Sequence, residues 1–205
     1  MDVVLLANVL TDASAWLEDF SSRWYFLLII FVIAYLDSVI PIVPSETMVI
    51  VGGVAAGVGE QRLSFVIIAG AVGAALGDNT AYFLGARLSR FISRRAERSM
   101  KLAHRLEWAA QQIAMRGGPL LVTARFIPGG RTALTVSCGV THQPKRWFVG
   151  WVVAAVTIWA TYAAVLGFVF GDTFDHTTAL ILAFVTALGV NGLIEVIRHV
   201  RARHR

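Results

Sequence analysis

The chain has few charged residues and a single cysteine. Only 15% of its 205 residues are charged and 57% are hydrophobic, whereas soluble domains are about one-quarter charged. This composition argues against a soluble domain and predicts an all-α integral membrane protein with one membrane domain. Cys138 alone cannot form an internal disulfide. Residues 1–20 lack the basic segment of a cleaved signal peptide.

The positive charge is concentrated in two places. The formal net charge is +5, and most of the excess lies in residues 87–116 and in the tail 198–205. Because basic residues flanking apolar segments stay in the cytoplasm, this pattern predicts membrane orientation rather than nucleic-acid binding. We therefore expect a multi-pass membrane protein with a cytoplasmic C-terminus.

Hydrophobic periodicity predicts the elements along the chain. Residues 1–20 form an amphipathic interfacial helix, and 24–58 form a hairpin broken by "PIVP". Residues 63–85 span the membrane, and 87–116 form a basic amphipathic segment on the anionic leaflet. Residues 117–140 form a second broken hairpin, and 147–170 and 177–197 are further spans, so about three helices cross the membrane.

Both flanks of residues 117–140 are basic, which predicts that this segment enters and leaves from the cytoplasm. The first hairpin then opens to the outside. Two re-entrant hairpins of opposite orientation, each followed by a full span, make an inverted-topology repeat. Secondary transporters of this architecture bind substrate near the bilayer midplane, between broken helices.

Five ionisable residues lie in the apolar segments: Asp37, Glu46, Asp78, Arg125 and Arg131. Each costs at least about 2.5 kcal/mol to insert, so such residues pair or face a cavity. The arginine pair is suited to binding a phosphate through forked donors. Glu46 and Asp37 could exchange protons or serve as counter-ions, and Glu46 is favoured because it follows Pro44 and Ser45 at the hairpin break. The alternative is an ion pair that only locks the hairpins together. For Asp78, a local hydrogen-bonding role is favoured over an accessory role in the site.

Three motifs, "LDSVIPIVPSET", "GDNTAYFLGAR" and "ARFIPGGRTALTVSCG", resemble those of the DedA family, also called the VTT or SNARE-associated domain family. The resemblance covers roughly residues 20–170. It implies that Asp37, Glu46, Arg125 and Arg131 are functionally important. It also implies a location in the bacterial inner membrane and transport of membrane lipids, notably undecaprenyl phosphate, with dependence on the proton-motive force. The "SCG" at 137–139 departs from the Ala-Gly of many members.

The favoured function is therefore a flippase for undecaprenyl phosphate or another anionic phospholipid-like carrier, coupled to protons and needing no cofactor or metal. A proton-coupled exchanger of small ions or drugs is the main alternative. A lipid phosphatase is less favoured, because the histidines lie in loops or tails and no Ser-Gly-His element occurs. The sequence predicts no enzyme activity and leaves oligomerisation open.

Overall fold

The computed structural model describes residues 24–40, 45–126, 130–174, 178, 179 and 182. All regular elements in these residues are helical, which confirms the all-α class for this part of the chain. The predicted helix at 1–20 and the tail at 198–205 lie outside it, as does nearly all of the predicted span at 177–197. The elements are α1 Trp24–Val39, α2 Ser45–Gly57, α3 Leu63–Glu97, α4 Met100–Arg116, α5 Pro119–Thr123, a 3₁₀ turn Ala124–Phe126, α6 Gly130–Val140 and α7 Lys145–Thr173.

Two of the described helices are long and apolar enough to cross a membrane: Leu63–Ile92, within α3, and Lys145–Thr173. Only 33% and 44% of the most apolar 18-residue stretch of each helix is buried inside the protein. The core helix of a soluble protein would be mostly buried. Large apolar side chains such as Ile68, Val72 and Leu76 are about half exposed on α3. Their spacing places them along one side of the helix, where lipid would cover them.

Helix α3 continues past residue 85, where the sequence predicted that the span ends. It has 35 residues and is therefore about 52 Å long, against about 30 Å for a hydrocarbon core. Arginine and leucine are good helix formers, so residues 87–97 extend the same helix instead of starting a new one. The break comes at Arg98 and Ser99, after which α4 begins. Where the membrane ends along α3 stays a prediction.

The chain divides into two compact units. The first comprises Met1–Ile33, Pro44–Gly70 and Ala160–Arg205. Within it, α2 packs directly against the C-terminal half of α7. A Cβ on Gly53 would overlap the carbonyl oxygen of Ala164, and one on Gly167 would overlap that of Ile50. Only glycine permits this close approach of two backbones.

The second unit comprises Ala34–Val43 and Ala71–Trp159. Its helices α3 and α6 also touch through their backbones, since a Cβ on Gly139 would overlap the carbonyl oxygen of Tyr82. The Tyr82 hydroxyl donates a hydrogen bond of 2.6 Å to the carbonyl of Gln143. Helix α4 packs against α5 and α6. These contacts hold α6 in a fixed position beside α3.

Helices α3 and α6 run in the same direction. Gly139 lies beside Tyr82, and Arg131 at the start of α6 lies beside Asp78, further back along α3. A re-entrant second hairpin requires this arrangement, because α5 must lead the chain back into the protein and α6 must return it towards the side where α3 ended. The turn at 127–129 lies outside the described residues, as does the "PIVP" break at 41–44. Re-entry of both hairpins stays a prediction.

Candidate functional site

A buried ion pair joins Arg125 to Asp78. The guanidinium Nη1 lies 2.6 Å from the carboxylate Oδ2, and the two side chains are 1% and 2% exposed. Charges this deeply buried are costly unless they are paired. The pair therefore explains how both residues can lie inside an apolar molecule.

Arg131 extends this pair into a cluster of four charged side chains. Its Nη2 lies 3.1 Å from Oδ2 of Asp37 and donates a hydrogen bond of 2.5 Å to the Asp37 carbonyl oxygen. Its Nε lies 3.7 Å from Oδ1 of Asp78. Asp78 thus lies between the two arginines. The two aspartates balance the two arginines, so the cluster is formally neutral.

Separate segments of the second unit supply these residues. Asp37 lies near the end of α1, Asp78 within α3, Arg125 in the 3₁₀ turn after α5, and Arg131 in the first turn of α6. Helix α1 is tied to α3 by the Ser38 hydroxyl, which donates a hydrogen bond of 3.2 Å to the carbonyl of Ala74. Both arginines adjoin the helix break at 127–129. The site is therefore built where the apolar sequence is interrupted.

Several polar atoms of the cluster are buried but make no hydrogen bond within the described part of the chain. They are Nε and Nη2 of Arg125, Nε of Arg131 and Oδ1 of Asp78. Nε and Nη2 are neighbouring nitrogens along one side of a guanidinium, where their N–H bonds run parallel and match two oxygens of a carboxylate or phosphate. An unmade hydrogen bond of this kind costs about 1–3 kcal/mol. The site thus has donor capacity suited to an oxyanion.

Trp159 covers one face of the Arg125 guanidinium. The Cζ atom lies 5.0 Å from the indole ring centroid, within cation–π distance, and Trp159 is only 4% exposed. This residue was not among the predicted site residues. A signal was present, because Trp159 lies in the middle of the predicted span 147–170, whereas Trp147 and Trp151 lie near its end.

Four of the five predicted site residues belong to the ion-pair cluster, and the fifth, Glu46, belongs to the first unit. Asp37, Arg125 and Arg131 all lie in the ion-pair cluster, where Asp37 pairs with Arg131 and Asp78 pairs with Arg125. Asp78, expected to have a local role, is bonded to a residue 47 positions away. Glu46 lies in the first turn of α2, within the first unit, and its role stays a prediction. No group of three or more His, Cys, Asp or Glu in the described ranges could hold a metal ion.

The VTT domain family matches residues 43–169, more than half of the chain and a range that contains Asp78 and both arginines. The chain belongs to the DedA family of membrane proteins. It is 24% identical to the protein DedA of Escherichia coli K12 over 98% of this chain and 92% of that one. No solved structure shows a significant similarity to it.

Two further relatives have names that refer to an activity. Undecaprenyl phosphate transporter A of Bacillus subtilis is 25% identical over 77% of this chain and 80% of its own length. The alkaline phosphatase-like protein of Lactococcus lactis is 26% identical over 82% of this chain and 83% of its own length. Both names concern phosphate compounds, and they differ on whether the protein moves its substrate or cleaves it.

Proposed function

We propose that this DedA-family protein moves an anionic lipid with a phosphate head group, such as undecaprenyl phosphate, across the membrane, and that Arg125 and Arg131 bind the head group. The observation that carries the proposal is the unpartnered side of the Arg125 guanidinium. Its Nε and Nη2 are buried, lie side by side and make no hydrogen bond in the described residues. The name of the Bacillus subtilis relative supports the choice of a polyprenyl phosphate.

The chemistry of this step is recognition. A phosphate oxygen pair meets the Nε and Nη2 donors of Arg125, while Nη1 stays bonded to Asp78. Arg131 contributes a second positive charge. The hydrocarbon tail stays in the lipid, so the protein must shield only the head group. No bond of the lipid is broken.

Charge balance favours coupling to protons. Because two aspartates already neutralise the two arginines, a phosphate adds excess negative charge to a site with little water. Protonating a carboxylate would release an arginine donor and restore neutrality. Asp37 is suited to this exchange because it is 17% exposed, against 2% for Asp78, and is bonded to Arg131. Glu46 remains the second proposed proton-exchanging residue. By linkage, protons and lipid then strengthen each other's binding.

The test is translocation of a labelled polyprenyl phosphate by purified protein in liposomes, with labelled phosphatidylcholine as the neutral comparison. Arg125→Lys keeps the charge but loses the parallel donors, and we expect it to slow translocation at least about tenfold, the effect of losing one hydrogen bond to a charged group. Arg116→Lys, an exposed arginine on α4, is the matched control and should leave the rate unchanged.

The same assay separates the competing functions. Release of inorganic phosphate from the lipid would support a phosphatase, as the name of the Lactococcus lactis relative suggests. A pH change driven by small cations without lipid movement would support an exchanger. If Arg125→Lys and the wild type move the lipid equally fast, the proposed role of the Arg125 donors is refuted.

A further inference from the structure

A second group of arginines lies on the C-terminal end of α3. These arginines are distant in sequence from Arg125 and Arg131 and, unlike them, are exposed. Arg87, Arg90 and Arg94 are all exposed. Their spacing of three and four residues puts them on one side of the helix. Residues 87–98 contain two further arginines, Arg95 and Arg98, and one acid, Glu97. The C-terminal end of α3 and the residue that follows it are therefore strongly positive.

An exposed apolar stripe runs next to these arginines. Leu84, Leu88 and Phe91 are 48%, 41% and 61% exposed, and they too recur at helical spacing. Val72 and Leu76 are comparably exposed earlier in the helix. A side chain as large as phenylalanine is seldom left this exposed to water next to other apolar residues, so lipid is the natural neighbour of this stripe.

The depth of the arginines in the bilayer follows from the charge pattern of α3. Between Arg62 and Arg87 the sequence contains one charged residue, Asp78, which is buried in the ion-pair cluster. Residues 63–86, which expose no charge to lipid, form a stretch of helix about 36 Å long, slightly more than the hydrocarbon thickness of about 30 Å. We therefore expect Arg87 to lie where α3 leaves the hydrocarbon, and Arg90 and Arg94 to lie among the head groups.

The structure also keeps these arginines in place. They belong to a continuous helix instead of a loose tail, and the next helix, α4, packs against α5 and α6. Arginines on a rigid helix lose less conformational entropy on binding than those on a flexible segment. The sequence alone had suggested a separate amphipathic segment lying on the leaflet over 87–116, whereas the helical extension presents the charges along the side of a membrane-crossing helix.

We infer that Arg87, Arg90 and Arg94 form a binding site for the head groups of anionic phospholipids in the leaflet that α3 reaches, with Leu84, Leu88 and Phe91 contacting their acyl chains. The occupant is a phosphodiester lipid of the phosphatidylglycerol type that stays in its leaflet. The site differs from the transport site because its arginines are exposed and, within the described part of the chain, paired with no buried acid. The inference rests on the membrane family and the α3 geometry, and does not require the proposed transport.

The probe is phosphatidylglycerol, titrated against the full-length protein in neutral detergent, with bound lipid counted by native mass spectrometry and phosphatidylcholine as comparison. Each arginine near an anionic head group contributes about fivefold in binding. We therefore expect Arg87→Gln/Arg90→Gln/Arg94→Gln to weaken phosphatidylglycerol binding at least about tenfold, with phosphatidylcholine binding unchanged. The preference should also fall with added salt.

The matched control removes three exposed basic residues from the same predicted side: Lys101→Gln/Arg116→Gln/Arg146→Gln. It should change binding less than about twofold, because these residues belong to α4 and α7 and not to the helix that carries the apolar stripe. The triple lysine variant of Arg87, Arg90 and Arg94 should keep the preference, since exposed head groups need charge more than a forked donor.

Two results would overturn the inference. One is a triple glutamine variant of Arg87, Arg90 and Arg94 that binds phosphatidylglycerol as the wild type does. The other is a control variant that loses as much affinity as this triple variant, because net charge alone would then explain the binding. Should the triple glutamine variant fail to fold, Arg90→Gln alone is expected to lose about twofold to fivefold, and no loss there would equally refute the site. Translocation of polyprenyl phosphate is measured on the same proteins, and its failure in the wild type would refute the transport proposal alone.

Discussion

The Arg125 guanidinium is held by one hydrogen bond and one aromatic contact, and one of its edges makes no hydrogen bond in the described residues. Nη1 bonds to Asp78, the Trp159 ring covers one face, and Nε and Nη2 remain without an acceptor in the described residues. With one nitrogen and one face occupied, the guanidinium cannot rotate freely. Trp159 is therefore expected to be a positioning residue, which aims the two remaining donors without touching the lipid.

Replacing Trp159 tests this role. Trp159→Leu removes the cation–π contact, worth about 0.5–2 kcal/mol, and should weaken head-group binding about twofold to thirtyfold, whereas Trp159→Phe keeps an aromatic face and should lose less. Binding of a short-chain polyprenyl phosphate to purified protein gives both numbers, and the melting temperature reports any general loss of packing. Equal affinity in the leucine variant and the wild type would show that the indole contributes only packing.

Proton coupling is tested at Asp37. In the wild type, binding of the phosphate lipid should weaken as pH rises, because the carboxylate that loses its proton competes for Arg131. Asp37→Asn cannot be charged and should bind at least as tightly as the wild type at neutral pH, with a flatter dependence on pH. Glu46→Gln is measured alongside, because the sequence favoured Glu46 over Asp37 for proton exchange. If both variants keep the wild-type pH profile, neither acid couples protons to binding.

Part of the site could be predicted residue by residue. The cost of burying charge in a membrane identifies Asp37, Arg125 and Arg131 as residues that need partners. The importance of Asp78 could not be judged in this way, because its partner Arg125 is 47 positions away and helical periodicity reports only local neighbours. The same limit applies to Trp159, whose contact with Arg125 exists only once α7 packs beside the 3₁₀ turn.

Among the elements, the contact between α3 and α6 determines where Arg131 lies. Gly85 faces the carbonyl of Val136, and Gly139 faces that of Tyr82, so neither helix tolerates a side chain at these points. Arg131 begins the same helix α6 and lies beside Asp78. A change in the distance between α3 and α6 would therefore change the distance between Arg131 and Asp78 in the ion-pair cluster.

A pair of glycine substitutions measures this effect. Gly139→Ala should destabilise the protein by about 1–3 kcal/mol, because the added methyl forces the two backbones apart. Gly150→Ala, in α7, has no atom within 4 Å of the added Cβ and should be neutral or stabilising by up to about 1 kcal/mol through helix propensity. Thermal unfolding in detergent provides both values. A Gly139→Ala protein as stable as Gly150→Ala would contradict the described packing of α3 and α6.

The helices themselves were partly predictable. The apolar runs, together with proline and glycine at 41–44 and 127–129, placed the ends of α1, α2 and α6 to within a few residues. The length of α3 was missed because the sequence changes from apolar to basic at Arg87 without a helix-breaking residue. The change from apolar to basic residues was interpreted as the end of one helix and the start of another, although apolar and basic residues both form helices.

For the whole molecule, the orientation of residues 117–140 determines whether the two hairpins open to opposite sides. The basic flanks and the common direction of α3 and α6 both support re-entry from the cytoplasm. Cysteines introduced at Arg98 and Lys145, in a Cys138→Ser background, should both react only with a reagent that reaches the cytoplasm. Labelling of position 145 from outside the cell would mean that the segment crosses the membrane.

Binding of a lipid phosphate by Nε and Nη2 of Arg125 can be measured directly. Solid-state NMR on protein with ¹⁵N-labelled arginine, in bilayers containing undecaprenyl phosphate, measures the dipolar coupling between guanidinium nitrogens and phosphorus. Comparison with Arg125→Lys assigns the signal. We expect Nε and Nη2 of Arg125 to show the short nitrogen–phosphorus distance of a direct contact with undecaprenyl phosphate, and not with phosphatidylcholine alone. The absence of this coupling at Arg125 in lipid-loaded wild-type protein, or the same coupling with phosphatidylcholine, would contradict this expectation.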